Sequence, residues 1–132
     1  ELDALAAYLG TIEVPDSPFR GNPADINVGK SVFENLGCQS CHIPPLYTDH
    51  KLHDVGTGDP SLERNSHGRG TSFDTPSLIG LWLTAPYFHD GSASTFMRLF
   101  TMGTVHNVFE DLSPDELESL VTFLKSLPND SE

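Results

Sequence analysis

The chain has 132 residues, enough for one domain and too few for two of ordinary size. Seven Lys and Arg against 19 Asp and Glu give a net charge of −12, which argues against nucleic-acid and anionic-membrane roles and favours a basic protein partner. Only 37% of the residues are apolar, so the core is modest and open to completion by a bound group. No apolar run approaches the ~20 residues that membrane insertion needs.

Residues 1–12, ELDALAAYLGTI, read as a helix and recur near the other end as ELESLVTFLKSL from Glu116. Leu2, Leu5, Tyr8, Leu9 and Ile12 align without gaps with Leu117, Leu120, Phe123, Leu124 and Leu127. The first copy therefore reads as the last helix of a preceding, similar domain, against the simpler view that short Leu/Glu helices look alike by chance. With Glu1 first and no leader pattern, the sequence reads as a mature form or an excised piece. Residues 13–27, rich in Pro and Asn, read as a linker, and residues 28–132 as the domain proper.

Within that domain, residues 28–36 form a short helix with Val28, Val32, Phe33 and Leu36 on one side, ended by Gly37 in the left-handed region. Residues 43–75 read as a long irregular stretch, with 56–70 its most mobile part, of the kind that wraps a ligand. A third helix spans Ser94 to Thr101. The fourth, 114–127, has Ser113 as N-cap, Pro114 at its first position, Glu116 completing a capping box, and Leu112 and Leu117 spaced for a hydrophobic staple. No strand pattern stands out. The fold class is mostly α.

The chemistry lies in Cys38-Gln39-Ser40-Cys41-His42, the c-type haem attachment spacing. On one turn the two thiols can each add to a vinyl group of one porphyrin, and the next residue turns its imidazole to the iron. His42 then ligates through Nε2 while Nδ1–H bonds a backbone carbonyl, which fixes the tautomer. Ile43-Pro44-Pro45 stops the turn just beyond the ligand. A thioredoxin-like dithiol would need a βαβ setting, and a zinc site would need two further ligands at suitable spacing. Two cysteines so close together exclude a disulfide framework.

The sixth iron position separates electron transfer from catalysis. Met102 follows the third helix, with Gly103 letting the backbone turn close to the ring, and is the first candidate. His106 competes with it, an open position is the remaining option, and Met97 reads as core packing. His89 reads as part of a turn or as lining the haem edge. Trp82 reads as a buried aromatic, as a donor to a haem propionate or as a step on an electron path. Arg69 and Arg98 read as surface cations or propionate partners. His50, His53 and His67 read as solvated, with an approach to the haem open to His53. The acidic run 110–118 serves helix capping and could dock a basic partner.

The stretch from Phe73 to Gly91, with its TPSL and LTAPYFHDG segments, resembles the C-terminal haem domain of bacterial di-haem cytochrome c peroxidases and MauG-like proteins. The resemblance continues through Thr101-Met102-Gly103 to Leu127 and covers most of 28–128. It implies a cytochrome c-like fold of short helices and long loops around one covalent haem, with Met102 at the axial methionine position. It also implies an electron-accepting role, an extracytoplasmic bacterial location, and calcium at the positions of Thr84 and Pro86. With a single attachment motif the chain cannot be a complete di-haem peroxidase. Two functions follow. One is a monohaem electron-transfer domain whose partner is a redox protein or a preceding domain. The other is the haem-bearing part of a peroxidase-like or MauG-like enzyme, with a peroxide- or gas-binding open site as a variant in which His89 and His106 would help.

Overall fold

The computed structural model describes residues 1–63 and 70–128. Its helices are α1 (Leu2–Leu9), α2 (Pro23–Asn35), α3 (Pro60–Glu63), α4 (Phe96–Thr101) and α5 (Pro114–Ser126), joined by long connections that include 3-10 turns at Cys38–Ser40 and Leu81–Leu83. Two two-residue strands, β1 (Leu52–His53) and β2 (Phe73–Asp74), pair antiparallel, with Leu52 opposite Asp74 and His53 opposite Phe73. They pin together the two ends of the stretch expected to be irregular throughout. Part of 56–70, including His67 and Arg69, lies outside the described residues.

The frame is the crossing of α2 and α5, whose buried side chains include Val32, Phe33, Leu120, Phe123 and Leu124. Phe33 and Phe123 meet at 5.5 Å between ring centroids. The helices come close because residue 29 is glycine. A Cβ there would run into the Ser119 carbonyl oxygen and lie 2.6 Å from its carbon and 2.7 Å from Phe123 Cβ. The buried stripe of α2 therefore includes Gly29, and Val28, expected on the apolar side, is 47% exposed.

Helix α2 also starts five residues earlier than 28. Asn22 is its N-cap, accepting from the Ala24 N–H at 3.0 Å, and Pro23 takes the first turn. The punctuation read as linker is thus partly a helix start. Gly37 does end the helix, at φ 73°. Helix α4 begins at Phe96 instead of Ser94, because Thr95 caps it by accepting from the Arg98 N–H at 3.1 Å. Helix α5 carries the expected capping box: the Glu116 N–H donates to Ser113 Oγ, and the Ser113 N–H donates to Glu116 Oε2 at 2.9 Å.

The linker is anchored. Ser17 is buried, its hydroxyl donating to the Lys125 carbonyl, and the Lys125 ammonium lies 5.2 Å from the Phe19 ring centre. Helix α1 differs from α2, α4 and α5, since every one of its residues is exposed.

Candidate functional site

The 3-10 turn Cys38–Ser40 follows directly on the left-handed Gly37, so the chain reverses out of α2 and presents both cysteines within one turn. Both thiols are free and half-buried, and Cys38 packs against the core. Burial, above all, pushes the Cys38 thiol up from its ordinary value, opposite to what a redox thiolate needs. The two short strands and the absence of a βαβ unit among the described residues also disfavour the dithiol reading.

His42 is half-buried and held from outside the motif. Its Nδ1 lies 3.0 Å from the Tyr47 carbonyl oxygen, and the Pro76 carbonyl also acts on the ring. With Nδ1–H donating to Tyr47, Nε2 carries the lone pair, the tautomer iron ligation requires. Burial lowers the His42 pKa and so favours the neutral imidazole. Sequence reasoning did not identify Tyr47 and Pro76. Pro76 lies in the TPSL segment, but a backbone carbonyl has no signature of its own, and Tyr47 turns through φ 53°.

Two half-buried groups face one another across this site. The His106 ring centre lies 6.4 Å from that of His42, with planes at 50°, and 5.6 Å from Phe88. His106 Nδ1 is sealed from solvent without a hydrogen-bond partner. Burial, aided by the neighbouring His42, pushes its pKa down to about 4, so the imidazole is neutral at ordinary pH. Met102, the C-cap of α4, is half-buried in extended backbone and packs against the core. Met97 is 47% exposed, which overturns the core-packing expectation: on the six-residue α4 the inward positions go to Phe96 and Phe100.

Next to the turn, Cys41, Asp49 and His53 bring their ligand-type atoms within 4.8 Å of one another. His53 Nε2 contacts Asp49 Oδ2 at 2.8 Å, and the Asp49 side chain is only 3% exposed. The His53 hydrogen bond holds the Asp49 carboxyl well below the usual carboxylate range, with the Lys51 N–H and the Thr75 hydroxyl adding to it. His53 is therefore tied to a carboxylate, in contrast to the solvated reading, while His50 is exposed.

His89 is exposed and stacked on Phe73 at 3.7 Å. Trp82 is half-buried, with its Nε1 sealed and unpartnered. It lines an open apolar groove of about 910 Å³ with Phe19, Phe96 and the outer face of α5, a groove that includes none of Cys38, Cys41 or His42. Arg98 and Thr84 are exposed, and the Thr84 hydroxyl donates to the Leu81 carbonyl at 3.2 Å. The described residues contain no helix long and apolar enough to cross a membrane.

Residues 72–110 match the family of RoxA-like, cytochrome c-like domains. Over 96% of its length the chain is 31% identical to hydrazine synthase subunit gamma of Kuenenia stuttgartiensis, covering 48% of that protein. It is 30% identical to cytochrome c551 peroxidase of Nitrosomonas europaea over 96% of the chain and 43% of the relative. With MauG of Methylorubrum extorquens the identity is 32%, over 94% of the chain and 42% of the relative. A solved structure of Kuenenia stuttgartiensis hydrazine synthase under xenon superposes with a TM-score of 0.73 at 30% identity, covering 96% of this chain and 55% of that one. The chain thus spans less than half the length of the curated relatives it matches. It is a c-type cytochrome domain related to the di-haem peroxidase and MauG proteins, with a haem c-binding site and the corresponding mostly helical fold.

Proposed function

We propose that this cytochrome c domain transfers single electrons and carries one haem c, attached through Cys38 and Cys41 and ligated on its proximal side by His42. The observation that carries the reading is the tethering of His42 Nδ1 to the Tyr47 carbonyl at 3.0 Å, which leaves the lone pair on Nε2 directly after two cysteines on one turn. The haem supplies the one-electron iron couple. The protein's part would be to attach, orient and dry it: the two thiols would hold it covalently, burial keeps the His42 imidazole neutral while the Tyr47 carbonyl aligns it, and the half-buried Phe88 and Met102 would add apolar cover. A second iron ligand would come from the segment after α4, where Met102, the ligand the resemblance implies, and His106 compete. The propionate roles of Trp82 and Arg98 rest on the sequence reading alone, since the groove that Trp82 lines includes none of Cys38, Cys41 or His42. Calcium at Thr84 and Pro86 rests on the resemblance alone.

In the parent protein we place a second cytochrome domain before this one. The support is α1, whose exposed Leu2, Leu5, Tyr8, Leu9 and Ile12 repeat the positions that α5 buries. Such a parent would pass electrons to or from that domain or a basic redox protein, drawn to the −12 charge. Haem c is attached outside the bacterial cytoplasm, so the location we infer is periplasmic or otherwise extracytoplasmic.

The test is the absorption spectrum of the protein matured with haem c, oxidised and reduced, with and without carbon monoxide. A covalent haem, low-spin iron in both states, no response to the gas and a reversible one-electron titration are expected. High-spin iron that binds carbon monoxide would overturn the electron-transfer reading in favour of a reactive or gas-binding site.

A further inference from the structure

We propose that His106, and not Met102, is the distal ligand of the iron, so that the site is a bis-histidine centre; the inference rests on the haem reading above. A metal–imidazole bond of about 2.0–2.1 Å, with roughly 1.1 Å from the nitrogen to its ring centre, sets two imidazoles on one first-row ion about 6.3 Å apart centre to centre. The His42 and His106 centres are 6.4 Å apart. Tilted rings in direct contact reach similar separations, as Phe88 and His106 do at 5.6 Å and 50°, so the spacing fits a shared ion and the nitrogens carry the choice. Each ligand plane contains its own bond to the metal, so any twist between the two is allowed, and 50° is compatible.

The nitrogens agree with this spacing. On His42 the Tyr47 carbonyl occupies Nδ1, which leaves the lone pair on Nε2, and on His106 Nδ1 is buried without a hydrogen-bond partner, so each ring keeps a nitrogen lone pair for a ligand bond. The His106 backbone is held as well. Val105 N–H donates to the Val55 carbonyl at 3.3 Å, His106 N–H to Thr104 Oγ1 at 3.1 Å, and Thr104 N–H to the Met102 carbonyl at 2.7 Å. Met102 ends a helix and packs its side chain on the core, which makes it a wall of the site.

The experiment uses the haem-loaded protein, its Met102→Leu variant and its His106→Gly variant with and without added imidazole. The mass of the product first reports whether haem is covalently attached, and its absence would defeat the cytochrome reading itself. With haem attached, the oxidised wild type should be low-spin and lack the far-red sulfur-to-iron band. Met102→Leu should leave that spectrum unchanged. His106→Gly should turn high-spin, bind carbon monoxide when reduced, and return to low-spin with imidazole. A sulfur-to-iron band in the wild type that disappears in Met102→Leu overturns the proposal, as does a high-spin wild type or a His106→Gly protein that stays low-spin. If His106→Gly does not fold, the wild-type and Met102→Leu spectra still decide the case.

Discussion

Gly29→Ala isolates the close approach on which the fold is built. On an exposed helix face this substitution stabilises by about 1 kcal/mol, because glycine gives up more backbone freedom than alanine on folding. At residue 29 the new methyl meets the Ser119 backbone oxygen and stands 2.6 Å from the Ser119 carbonyl carbon, and neither can yield by a rotamer change. Overpacking costs typically 1–3 kcal/mol and more when backbone must move. Taking about 3 kcal/mol for the clash and offsetting the helix gain leaves about 2 kcal/mol of net destabilisation, a fall in Tm of roughly 8 °C for a chain of this size. The assay is thermal unfolding of the haem-loaded protein by circular dichroism. Lys30→Ala, next to it and exposed, serves as control and should stay within about 0.5 kcal/mol. A Gly29→Ala protein as stable as the wild type, or more so, would refute the α2–α5 crossing described above.

Ser113→Ala removes the side-chain half of the α5 capping box, the bond from the Glu116 N–H to Ser113 Oγ, and should cost about 1 kcal/mol, measured as a lower Tm with an unchanged haem spectrum. The Asp49 carboxyl has its folded pKa pulled down, so its contribution to stability is complete above about pH 4 and fades as the pH falls further. The Tm gap between wild type and Asp49→Asn should accordingly be largest near neutrality and narrow on acidification, and a gap constant from pH 7 to pH 3 would count against the Asp49–His53 pairing. Deleting residues 1–12, which bury no side chain, should leave Tm and spectrum unchanged; a fall of several degrees would mean that α1 packs on this domain.

What the sequence made legible was local. Helix α5 was readable because Ser113, Pro114 and Glu116 each act within one turn, and the attachment turn because Cys38, Cys41 and His42 fall within one short segment. Helix α2 was read late because Asn22-Pro23 is both a loop signal and an N-cap followed by a first-turn proline. With Asp25 in place of a capping-box glutamate and only Ile26 as an apolar marker before Val28, nothing nearby separated the two. The burial of Gly29 in place of Val28 was not legible, since it depends on a helix ninety residues further along the chain. The same limit hid the tethering of His42 by two backbone carbonyls, and the meeting of His42 with His106, which depends on Val105 bonding to Val55 in a distant loop.

The distribution of burial ties these features together. The largest side chains sealed from solvent, Phe123, Leu120 and Leu127, lie on α5 or directly after it, whereas Cys38, on the attachment turn, and Leu81, Phe88 and Met102 are only half-covered. Burying a large apolar side chain fully is worth about 1.5–3 kcal/mol, so a group that covered this half-open side would add to the stability of a chain with few apolar residues to spare. Helix α1 presents the same problem in sharper form. It repeats the apolar positions of α5 with nothing over them, and a helix of eight residues is marginal without a partner. In this fold the positions equivalent to those of α1 are covered by α2 of the same domain, so the surface that would suit α1 is another helix with a small residue where the two cross.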